Sequence, residues 1–333
     1  MNIAENLNGL TCVKCPNNAE YTGVDPKKAW YCRECFVQMV RNKFRSALSK
    51  RKIFKDEDSR EALIVIEGTP SSTFLLHQID DALRQVNFKR LMIRPTIVLL
   101  LNSKSKQEAE EFQLKIGDFK SILPENINWI VAHRSCSINP DNFGFNEIDN
   151  YNEMISSVKN STYRLELERI LKEKCLTNIA KTINISKIML ADDADDLGRL
   201  TLSQLCLGRG GALSNIVAVV DKRDSVTFIR PLRDVSKKEI RVVNTLQNYK
   251  SIDFPDTSEF PNSIQKLTDE FVHTLENEKF YSTINTVLST AGKIHNVIVK
   301  SCKLCEIENT SDSLCDTCQQ IKLECPKLDQ IIL

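Results

Sequence analysis

Eight of the twelve cysteines stand in Cys-x-x-Cys pairs, the spacing that metal-binding knuckles use. Two pairs lie near each end of the chain: Cys12, Cys15, Cys32 and Cys35, and Cys302, Cys305, Cys315 and Cys318. Thiolates two residues apart can approach one Zn²⁺ from a single turn, and two such turns complete a tetrahedral site. We therefore predict two zinc ions, both structural, because four thiolates leave no position for a substrate. Two alternatives stay open, namely sharing of ligands between the ends and use of Cys325 as a spare ligand.

Disulfides are the competing interpretation of these cysteines. The N-terminal residues MNIAENLNGLT contain no apolar signal region and no arginine-rich transit pattern. The longest apolar runs, such as Ile97 to Leu101, are too short to cross a membrane. With 41% hydrophobic and 27% charged residues in 333, the composition is that of an ordinary globular protein. We therefore predict a cytoplasmic protein whose thiols stay reduced.

The segment ALIVIEGTPSSTFLLH, residues 62–77, has the layout of a phosphate-binding loop. It predicts a buried strand, a tight turn at Gly68 and a helix that opens at Ser71 and Ser72. The first N–H groups of such a helix, together with its dipole, can hold a phosphate. The segment nevertheless has only one glycine, a proline, a glutamate at the strand end and no lysine.

The formal net charge is only +1, but basic residues are concentrated near the N-terminus. Between Lys27 and Lys55 there are ten Lys or Arg residues and a single acid, Glu34. The spacing within FVQMVRNKFRSAL predicts a helix that carries much of this charge on one face. A field of this sign suits a polyanion such as nucleic acid. A solvated helix that keeps a small module soluble is the alternative.

The pattern between the two cysteine groups predicts the α/β scaffold that must position these sites. Apolar runs predict five strands: Ala62–Ile66, Thr96–Leu101, Asn128–Ala132, Lys187–Ala191 and Val226–Ile229. Helices are predicted at Ser72–Gln85, Lys106–Phe119, Thr162–Thr182, Asp195–Leu207, Ser236–Leu246 and Ser263–Glu278. Such alternation predicts a mostly parallel, twisted sheet with helices on both faces. Ligands bind to such sheets at the carboxyl ends of the strands.

The segment LADDADDLGRL, which starts at Leu190, places four carboxylates at one of these strand ends. Asp192, Asp193, Asp195 and Asp196 could bind Mg²⁺. Aspartates at the start of a helix also complement its dipole, and we favour that interpretation.

Several short motifs occur in this order along the chain: CVKC, WYCRECF, KFRSALSK, LADDADDLGRLTLSQLCLGRGG and IRPLRDVSKKEI. In these motifs the chain resembles the PP-loop ATP pyrophosphatases that thiolate tRNA, and within them the cytoplasmic tRNA 2-thiolation protein 2 family. The resemblance covers nearly the whole chain and implies a PP-loop-like parallel sheet flanked by helices. It also implies three parts: residues 1–58 with the first cysteine module and the basic helix, residues 59–235 with the PP-loop-like domain, and residues 236–333, a helical region with the second cysteine module.

The phosphate loop departs from the catalytic branch of this family. A working PP-loop has the pattern Ser-Gly-Gly-x-Asp-Ser, and the matching stretch here is Glu67-Gly68-Thr69-Pro70-Ser71-Ser72. Glu67 puts a carboxylate where an anion should bind, which is repulsive unless a metal intervenes. Thr69 replaces a permissive glycine, Pro70 removes an N–H donor, and Ser71 replaces the aspartate. We therefore predict a degenerate loop that does not bind ATP, although the helix dipole at Ser71 leaves residual nucleotide binding open.

The cysteines that do sulfur chemistry in the catalytic relatives are also missing. Those relatives have a Cys-x-x-Cys ahead of an arginine-rich helix and a third cysteine after the PLR segment. Here the helix opens SVKNSTYRLELERIL, with no cysteine near Ser161, and none follows closely after Pro231-Leu232-Arg233. A thiolase needs an activated thiolate or a cluster ligand at this point. The sequence therefore predicts no catalytic residue of its own.

The resemblance implies a non-catalytic subunit of a heterodimer with the active PP-loop thiolase. The pair would make 2-thiouridine at the wobble position of cytosolic tRNAs, with sulfur from a thiocarboxylated ubiquitin-like carrier. That pathway is also linked to conjugation of the carrier to proteins. The partner would adenylate the uridine, while this chain supplies fold, docking surface and tRNA contacts. Candidate tRNA contacts are Arg41, Lys43, Arg45, Lys50, Arg51 and Lys52, with Arg209 a weaker one.

Two alternatives come from other classes of protein. One is an active ATP-dependent tRNA sulfurtransferase that uses Ser72 and the four aspartates. The other is a zinc-stabilised scaffold that makes no contact with RNA.

Overall fold

A mixed six-stranded sheet forms the centre of the computed structural model, which describes residues 10–25, 29–54, 60–85, 91–139, 143–252, 254, 262–278, 280, 282–294, 300–309 and 313–329. Lys27, Lys28 and Lys55 of the basic segment lie outside the described residues. The strands are β1 Tyr21–Thr22, β2 Trp30–Tyr31, β3 Glu61–Ile66, β4 Arg94–Leu101, β5 Asn128–His133, β6 Lys187–Met189, β7 Val220–Lys222, β8 Thr227–Ile229, β9 Lys300–Ser301 and β10 Glu308–Asn309.

The strand order in the central sheet is β5-β4-β3-β6-β8-β7, parallel except for β7, which pairs antiparallel with β8. Strands β3 and β4 are continuous apolar runs because both of their faces are buried. Ile64 and Ile66 point into the core on one face, whereas Leu63 and Val65 point into the core on the other. The predicted mostly parallel sheet is therefore confirmed.

Helices cover both faces of this sheet. They are α1 Arg33–Ser49, α2 Pro70–Arg84, α3 Lys106–Leu114, α4 Ile116–Lys120, α5 Ile148–Ser157, α6 Ser161–Thr182, α7 Ala194–Cys206, α8 Leu213–Ile216, α9 Lys237–Leu246, α10 Ile264–Asn277, α11 Thr283–Ala291 and α12 Asp316–Glu324. Helices α1, α2 and α9 contribute to the core on one face, and α6 contributes to the core on the other. Among the described residues, no helix combines the length and the apolar character that crossing a membrane requires.

Local sequence explains where helices α2, α7 and α9 begin. Thr69 caps α2 by accepting the N–H of Ser72, and Pro70 occupies the first turn, where its missing N–H costs nothing. Asp193 and Asp196 form a reciprocal capping box at the start of α7. Helix α9 opens with the same device, made by Ser236 and Glu239.

The predicted elements differ from the structure in several places. The single helix predicted at Lys106–Phe119 is wrong, because α3 ends at Leu114 and α4 follows after Lys115, beside the weak helix former Gly117. The elements that were not predicted are β1, β2, β7, β9, β10, α5, α8, α11 and α12. The strand predicted at Lys187–Ala191 ends at Met189. The division at residues 58 and 235 stays a prediction.

A second core lies beside the sheet. It packs α5, α6, α7 and α11 against the C-terminal cysteine region and includes Cys302, Cys305, Cys318 and Cys325. Four buried residues of this core are therefore cysteines, which ties the C-terminal module to the rest of the fold.

Candidate functional site

The N-terminal cysteine group is assembled from a turn and a helix start. Cys12 and Cys15 lie in the turn closed by the bridge between Thr11 and Asn18, and Cys32 is the N-cap of α1. Cys35 follows in the first helical turn. The Cys15 and Cys32 Sγ atoms are 3.5 Å apart, and those of Cys35 and Cys15 are 3.7 Å apart.

The C-terminal cysteine group repeats this architecture. Cys302 and Cys305 lie in the connection between β9 and β10, and Cys315 is the N-cap of α12 with Cys318 in the first turn. The Cys305 and Cys315 Sγ atoms are 4.0 Å apart. In each group a helix N-terminus faces the sulfurs, and its dipole favours their thiolate form.

The spacing of the sulfurs fits one tetrahedral ion in each group. All four Sγ atoms of each group lie within 4.8 Å of one another. Bonds of about 2.3 Å to a single ion place tetrahedral sulfurs about 3.8 Å apart, close to the observed separations. A disulfide would need about 2.05 Å, and all described cysteines are free. Backbone N–H groups add support, since Lys14 donates to Cys12 Sγ and Cys315 donates to Cys302 Sγ.

Each group draws its ligands from one end of the chain. The two sets of four do not exchange members, so the structure does not show sharing between the termini. Cys325 belongs to neither set, and its thiol donates to the carbonyl oxygen of Met154 at 3.7 Å. It is a buried part of the second core.

Arg209 lies beneath the C-terminal group. Its guanidinium donates to Cys315 Sγ at 3.4 Å and to Cys318 Sγ at 3.3 Å, and it forms an ion pair with Glu166. Only 6% of the residue is exposed. This placement speaks against Arg209 as a tRNA contact, because its charge is directed at the cysteines and at α6.

The degenerate loop lies at the switch point of the sheet. Strand β3 ends at Ile66 and pairs with β6. The chain continues from β3 towards one edge of the sheet, through β4, and from β6 towards the other edge, through β7 and β8. This is the position at which doubly wound sheets bind ligands. Gly68 makes the turn with φ of +74°, a conformation that glycine adopts without strain.

Polar groups of the loop already have partners within the protein. The Ser72 hydroxyl accepts the N–H of Glu67 at 3.1 Å, and the Ser71 hydroxyl donates to Asp193 Oδ2 at 2.7 Å. Phe254 covers Gly68 so closely that a Cβ at residue 68 would lie 2.5 Å from Phe254 Cγ. The ring of Phe254 in turn packs edge-on against Phe112. The loop is closed by its own neighbours.

Glu67 is held by two cationic side chains. Lys172 Nζ of α6 lies 2.6 Å from Glu67 Oε2, and Arg134 Nη2, directly after β5, lies 3.2 Å from Glu67 Oε1. Burial would raise the pKa of the Glu67 carboxyl, but Lys172 and Arg134 outweigh it and lower the pKa. The Glu67 carboxylate is therefore neutralised by two cations of the protein itself.

The four aspartates after β6 also have protein partners. Asp193 caps α7, and Asp192 forms an ion pair with Arg230 at 3.3 Å. Asp195 accepts the N–H of Lys237 at 2.6 Å, and Asp196 forms ion pairs with Arg199 and Lys237. The arrangement agrees with the favoured interpretation, in which these carboxylates serve the helix start.

The six candidate tRNA contacts near α1 divide into two groups. Arg41 donates to the Tyr249 hydroxyl at 2.6 Å and pairs with Asp81 at 3.2 Å, while Lys43 pairs with Glu239 at 2.7 Å. The other four are exposed or half-buried: Arg45, Lys50, Arg51 and Lys52. Arg41 and Lys43 hold α1 against its neighbours, whereas the other four leave their charge at the surface.

Two cysteines outside the metal groups lie near the loop but are buried. Cys136 is 1% exposed and Cys175 is 0% exposed, and the Cys175 thiol donates to the carbonyl oxygen of His133 at 3.5 Å. Burial lowers the pKa of His133 to about 4, so this imidazole is neutral at pH 7. Neither thiol is accessible to a substrate in this structure.

Sequence reasoning missed the residues that close the loop: Arg134, Lys172 and Phe254. Arg134 had a signal, because it follows a strand that was expected to end at the ligand-binding edge. Lys172 and Phe254 had none, since each reaches the loop from more than a hundred residues away along the chain.

Comparisons with known proteins agree with this fold. No protein-family model matches the chain. It is 52% identical to a cytoplasmic tRNA 2-thiolation protein 2 from Caenorhabditis elegans, over 97% of this chain and 96% of that protein. The protein of the same name from Caenorhabditis briggsae is 49% identical over 99% and 98% of the two chains.

Among solved structures, the chain is similar to the U34-tRNA thiolase NcsA from Methanococcus maripaludis, described with its 4Fe–4S cluster. The TM-score is 0.60 and the identity 14%, with 94% of this chain and 96% of that chain covered. This likeness shows that the fold is that of a PP-loop thiolase.

Proposed function

The chain belongs to the cytoplasmic tRNA 2-thiolation protein 2 family, and on that premise we propose that it is the non-catalytic subunit of a cytosolic complex that thiolates the wobble uridine of tRNA. Its partner would be the catalytic PP-loop subunit, which adenylates the uridine. The sulfur would come from a thiocarboxylated ubiquitin-like carrier, whose conjugation to proteins depends on the same pathway.

The observation that carries this proposal is the carboxylate in the phosphate position. To admit the pyrophosphate of ATP, the loop would have to release Glu67 from both Lys172 and Arg134 and move Phe254 away from Gly68. Separating either pair costs free energy, since the side chains of Glu67, Lys172 and Arg134 are each only about a fifth exposed. Few backbone N–H groups could bind the pyrophosphate in return, because Pro70 has none and the N–H of Ser72 is already donated to the Thr69 side chain. This supports a fold that is retained without ATP chemistry.

The thiols give independent support for the same conclusion. The two cysteines nearest the loop, Cys136 and Cys175, are buried, and a sulfur-transfer step needs a thiolate that can reach the substrate. The eight remaining ligand-spaced cysteines form closed groups of four. We propose that each group holds one Zn²⁺, which would supply structural cross-linking. Thiolates bound to the separate irons of a cubane cluster lie further apart than these sulfurs do.

The tRNA contacts in this proposal are Arg45, Lys50, Arg51 and Lys52. They lie at or just after the C-terminal end of α1, a helix that is anchored by the Arg41 and Lys43 contacts described above. An anchored helix keeps its charges in fixed positions, so they can act on an RNA backbone with the salt dependence typical of phosphate contacts.

Nucleotide turnover tests the non-catalytic assignment. The isolated chain should release no pyrophosphate from ATP in the presence of tRNA, and Ser72→Ala in the assembled complex should leave tRNA thiolation nearly intact. Thiolation is read by thiouridine analysis of the tRNA, and assembly by co-purification of the partner. Loss of thiolation with normal assembly would establish the alternative, an active sulfurtransferase that uses Ser72.

Cross-linking tests the RNA part of the proposal against the scaffold alternative. When the complex purified from its own cytosol is irradiated with bound tRNA, cross-links should form on this chain as well as on its partner. Cross-links confined to the partner would favour a zinc-stabilised scaffold without RNA contacts.

A further inference from the structure

A long groove runs beside the N-terminal cysteine group, and its lining includes two of the proposed tRNA contacts, Lys50 and Arg51. One half has a volume of about 710 Å³ and the other about 530 Å³. The two halves share Tyr31, Met39 and Lys43, so the two cavities adjoin at these three residues. The first half of the groove reaches the N-terminal cysteine group at Lys14 and Cys35.

One wall of the groove is a polar stripe on α1. Gln38, Asn42, Ser46 and Lys50 follow one another at intervals of four residues, which places them on the same face of the helix. Arg51 continues this wall just beyond the helix. Gln38 Nε2 donates to Asn42 Oδ1 at 2.7 Å, and the stripe presents amide, hydroxyl and cationic groups to the groove.

The stripe on α1 lines the first half of the groove, and the polar face of α11 lines the second half. The groove is lined there by Asn285, Thr286, Ser289, Thr290 and Lys293. Ile284, Leu288 and Ala291 of the same helix are buried in the second core, so the polar residues are those that the packing leaves at the surface. This helix was not predicted from the sequence and has no role in the proposed function so far.

The charge of the groove is positive. The lining contains five cationic side chains and three acidic ones. Two of the acids are compensated, since Glu239 pairs with Lys43 at 2.7 Å and Asp234 pairs with Arg233 at 2.7 Å. The third acid is Asp25, and the four other cations of the lining are Lys14, Lys50, Arg51 and Lys293. This excess of positive charge attracts an anion that is long enough to extend through both halves of the groove.

We infer that this groove binds an unpaired strand of tRNA, whose phosphates lie along Lys50, Arg51 and Lys293 while a base stacks on Tyr31. The inference rests on the proposed function and extends it to α11. Tyr31 is half-buried against the first core, so its ring is fixed where the two halves meet. Aromatic platforms and cationic walls are how single strands are held. The hydroxyl and amide groups of α11 suit the 2′-hydroxyl groups of RNA.

Binding of tRNA at several salt concentrations tests the phosphate contacts. The probes are an unmodified tRNA transcript and a single-stranded uridine 12-mer, each titrated with the complex that contains the full chain. Lys50→Gln, Arg51→Gln and Lys293→Gln together should lower the salt slope by about 2, since each phosphate contact on a single strand contributes about 0.7. The matched control neutralises three exposed lysines outside the groove: Lys115, Lys120 and Lys159. It should leave the slope within about 0.3 of wild type.

Substitution of Tyr31 tests the stacking contact. Tyr31→Phe keeps the ring and should leave affinity for the 12-mer within about twofold, whereas Tyr31→Leu keeps apolar packing but should weaken it about tenfold. Metal content and thermal unfolding check that the module is intact. Should Tyr31→Leu fail to fold, Asn285→Ala with Thr286→Ala in the second half of the groove provides a second test, with an expected loss of about fivefold.

The outcomes separate this inference from the proposed function. If the wild-type complex neither binds nor thiolates tRNA, the proposed function fails. If the wild type does both and the groove variants match the control in slope and affinity, the inference is overturned. It is also overturned if the variants release the protein partner and keep tRNA affinity, because the groove would then hold an acidic protein segment.

Discussion

The two cysteine groups have the same ligands and the same local architecture, yet their surroundings differ. In both, one knuckle lies in a turn and the other begins a helix. The N-terminal group lies nearer the surface, since Cys15 and Cys35 are half-buried and Cys35 lines the open groove together with Lys14. The C-terminal group is part of the second core, with Cys302, Cys305 and Cys318 buried among its apolar side chains.

The difference in charge compensation follows from this placement. Four thiolates on a divalent ion carry a net charge of about −2, which is costly to bury without a partner. In the C-terminal group Arg209 supplies that partner, and it connects two sulfurs to Glu166 of α6. In the N-terminal group the contacts given by the structure are a backbone N–H and neighbouring sulfurs. The same set of four cysteines therefore borders a surface groove at one end of the chain and forms part of the second core at the other.

The largest expected effect comes from removing one ligand at each end. Cys305→Ser should lower zinc content from two ions to one and destabilise the chain by about 4 kcal/mol or more, because the second core loses its cross-link. Cys12→Ser should also lose one ion, but the core should lose only about 1 kcal/mol, since a small surface module can open locally. Elemental analysis and urea unfolding measure the two quantities.

The control for this pair is Cys206→Ser, since Cys206 is exposed at the end of α7 and belongs to neither group. It should leave zinc content and stability unchanged. Equal destabilisation by the Cys12 and Cys305 variants would remove the distinction between a surface module and a core module. Unchanged zinc content in both would refute the metal sites altogether.

A smaller effect is expected from Arg209→Met. The substitution keeps most of the side-chain volume but removes the cation, so the C-terminal thiolates and Glu166 lose a shared partner. Breaking such a buried contact should cost about 3 kcal/mol. Glu166 stays paired with Arg169 at 2.8 Å, which limits the loss. The C-terminal ion should be retained less well, while the N-terminal ion should be unaffected.

Arg45→Met is the matched control, because it removes a charge of the same type from the surface of α1. Arg209→Lys should be intermediate, since one ammonium group cannot reach Glu166 and both sulfurs at once. If Arg209→Met left zinc retention at the C-terminal group unchanged, the two groups would not differ in the way proposed here.

The parts of this molecule that the sequence predicts well depend on local pattern. The Cys-x-x-Cys spacings predicted both groups of four, because each knuckle is a single turn. The apolar runs of β3 and β4 predicted central strands, because burial of both faces removes polar residues from them. Thr69 and Pro70 are recognisable as a helix start from their own chemistry.

The parts that the sequence could not predict depend on contacts between distant segments. Glu67 was expected to be repulsive at its position, and only the fold shows that Lys172 and Arg134 neutralise it. Arg209 follows a glycine-rich turn, which is typical of a surface, yet α12 covers it from more than a hundred residues away. Helix α11 is short and rich in Thr and Ser, so its periodicity alone gave no signal.

The smallest expected effect is a difference in the rate at which the two ions leave. Release to a chelator requires the ligands to open, and opening the surface module disturbs fewer buried contacts than opening the second core. The N-terminal ion should therefore leave about tenfold faster, which corresponds to about 1.4 kcal/mol in the barrier. Zinc release from the wild type should show two phases of equal amplitude. Cys12→Ser should retain only the slow phase and Cys305→Ser only the fast one, while alkylation of the exposed thiols identifies the group that has opened. If Cys12→Ser instead retained the fast phase, the C-terminal ion would be the labile one, and burial with Arg209 would not explain metal retention in this fold.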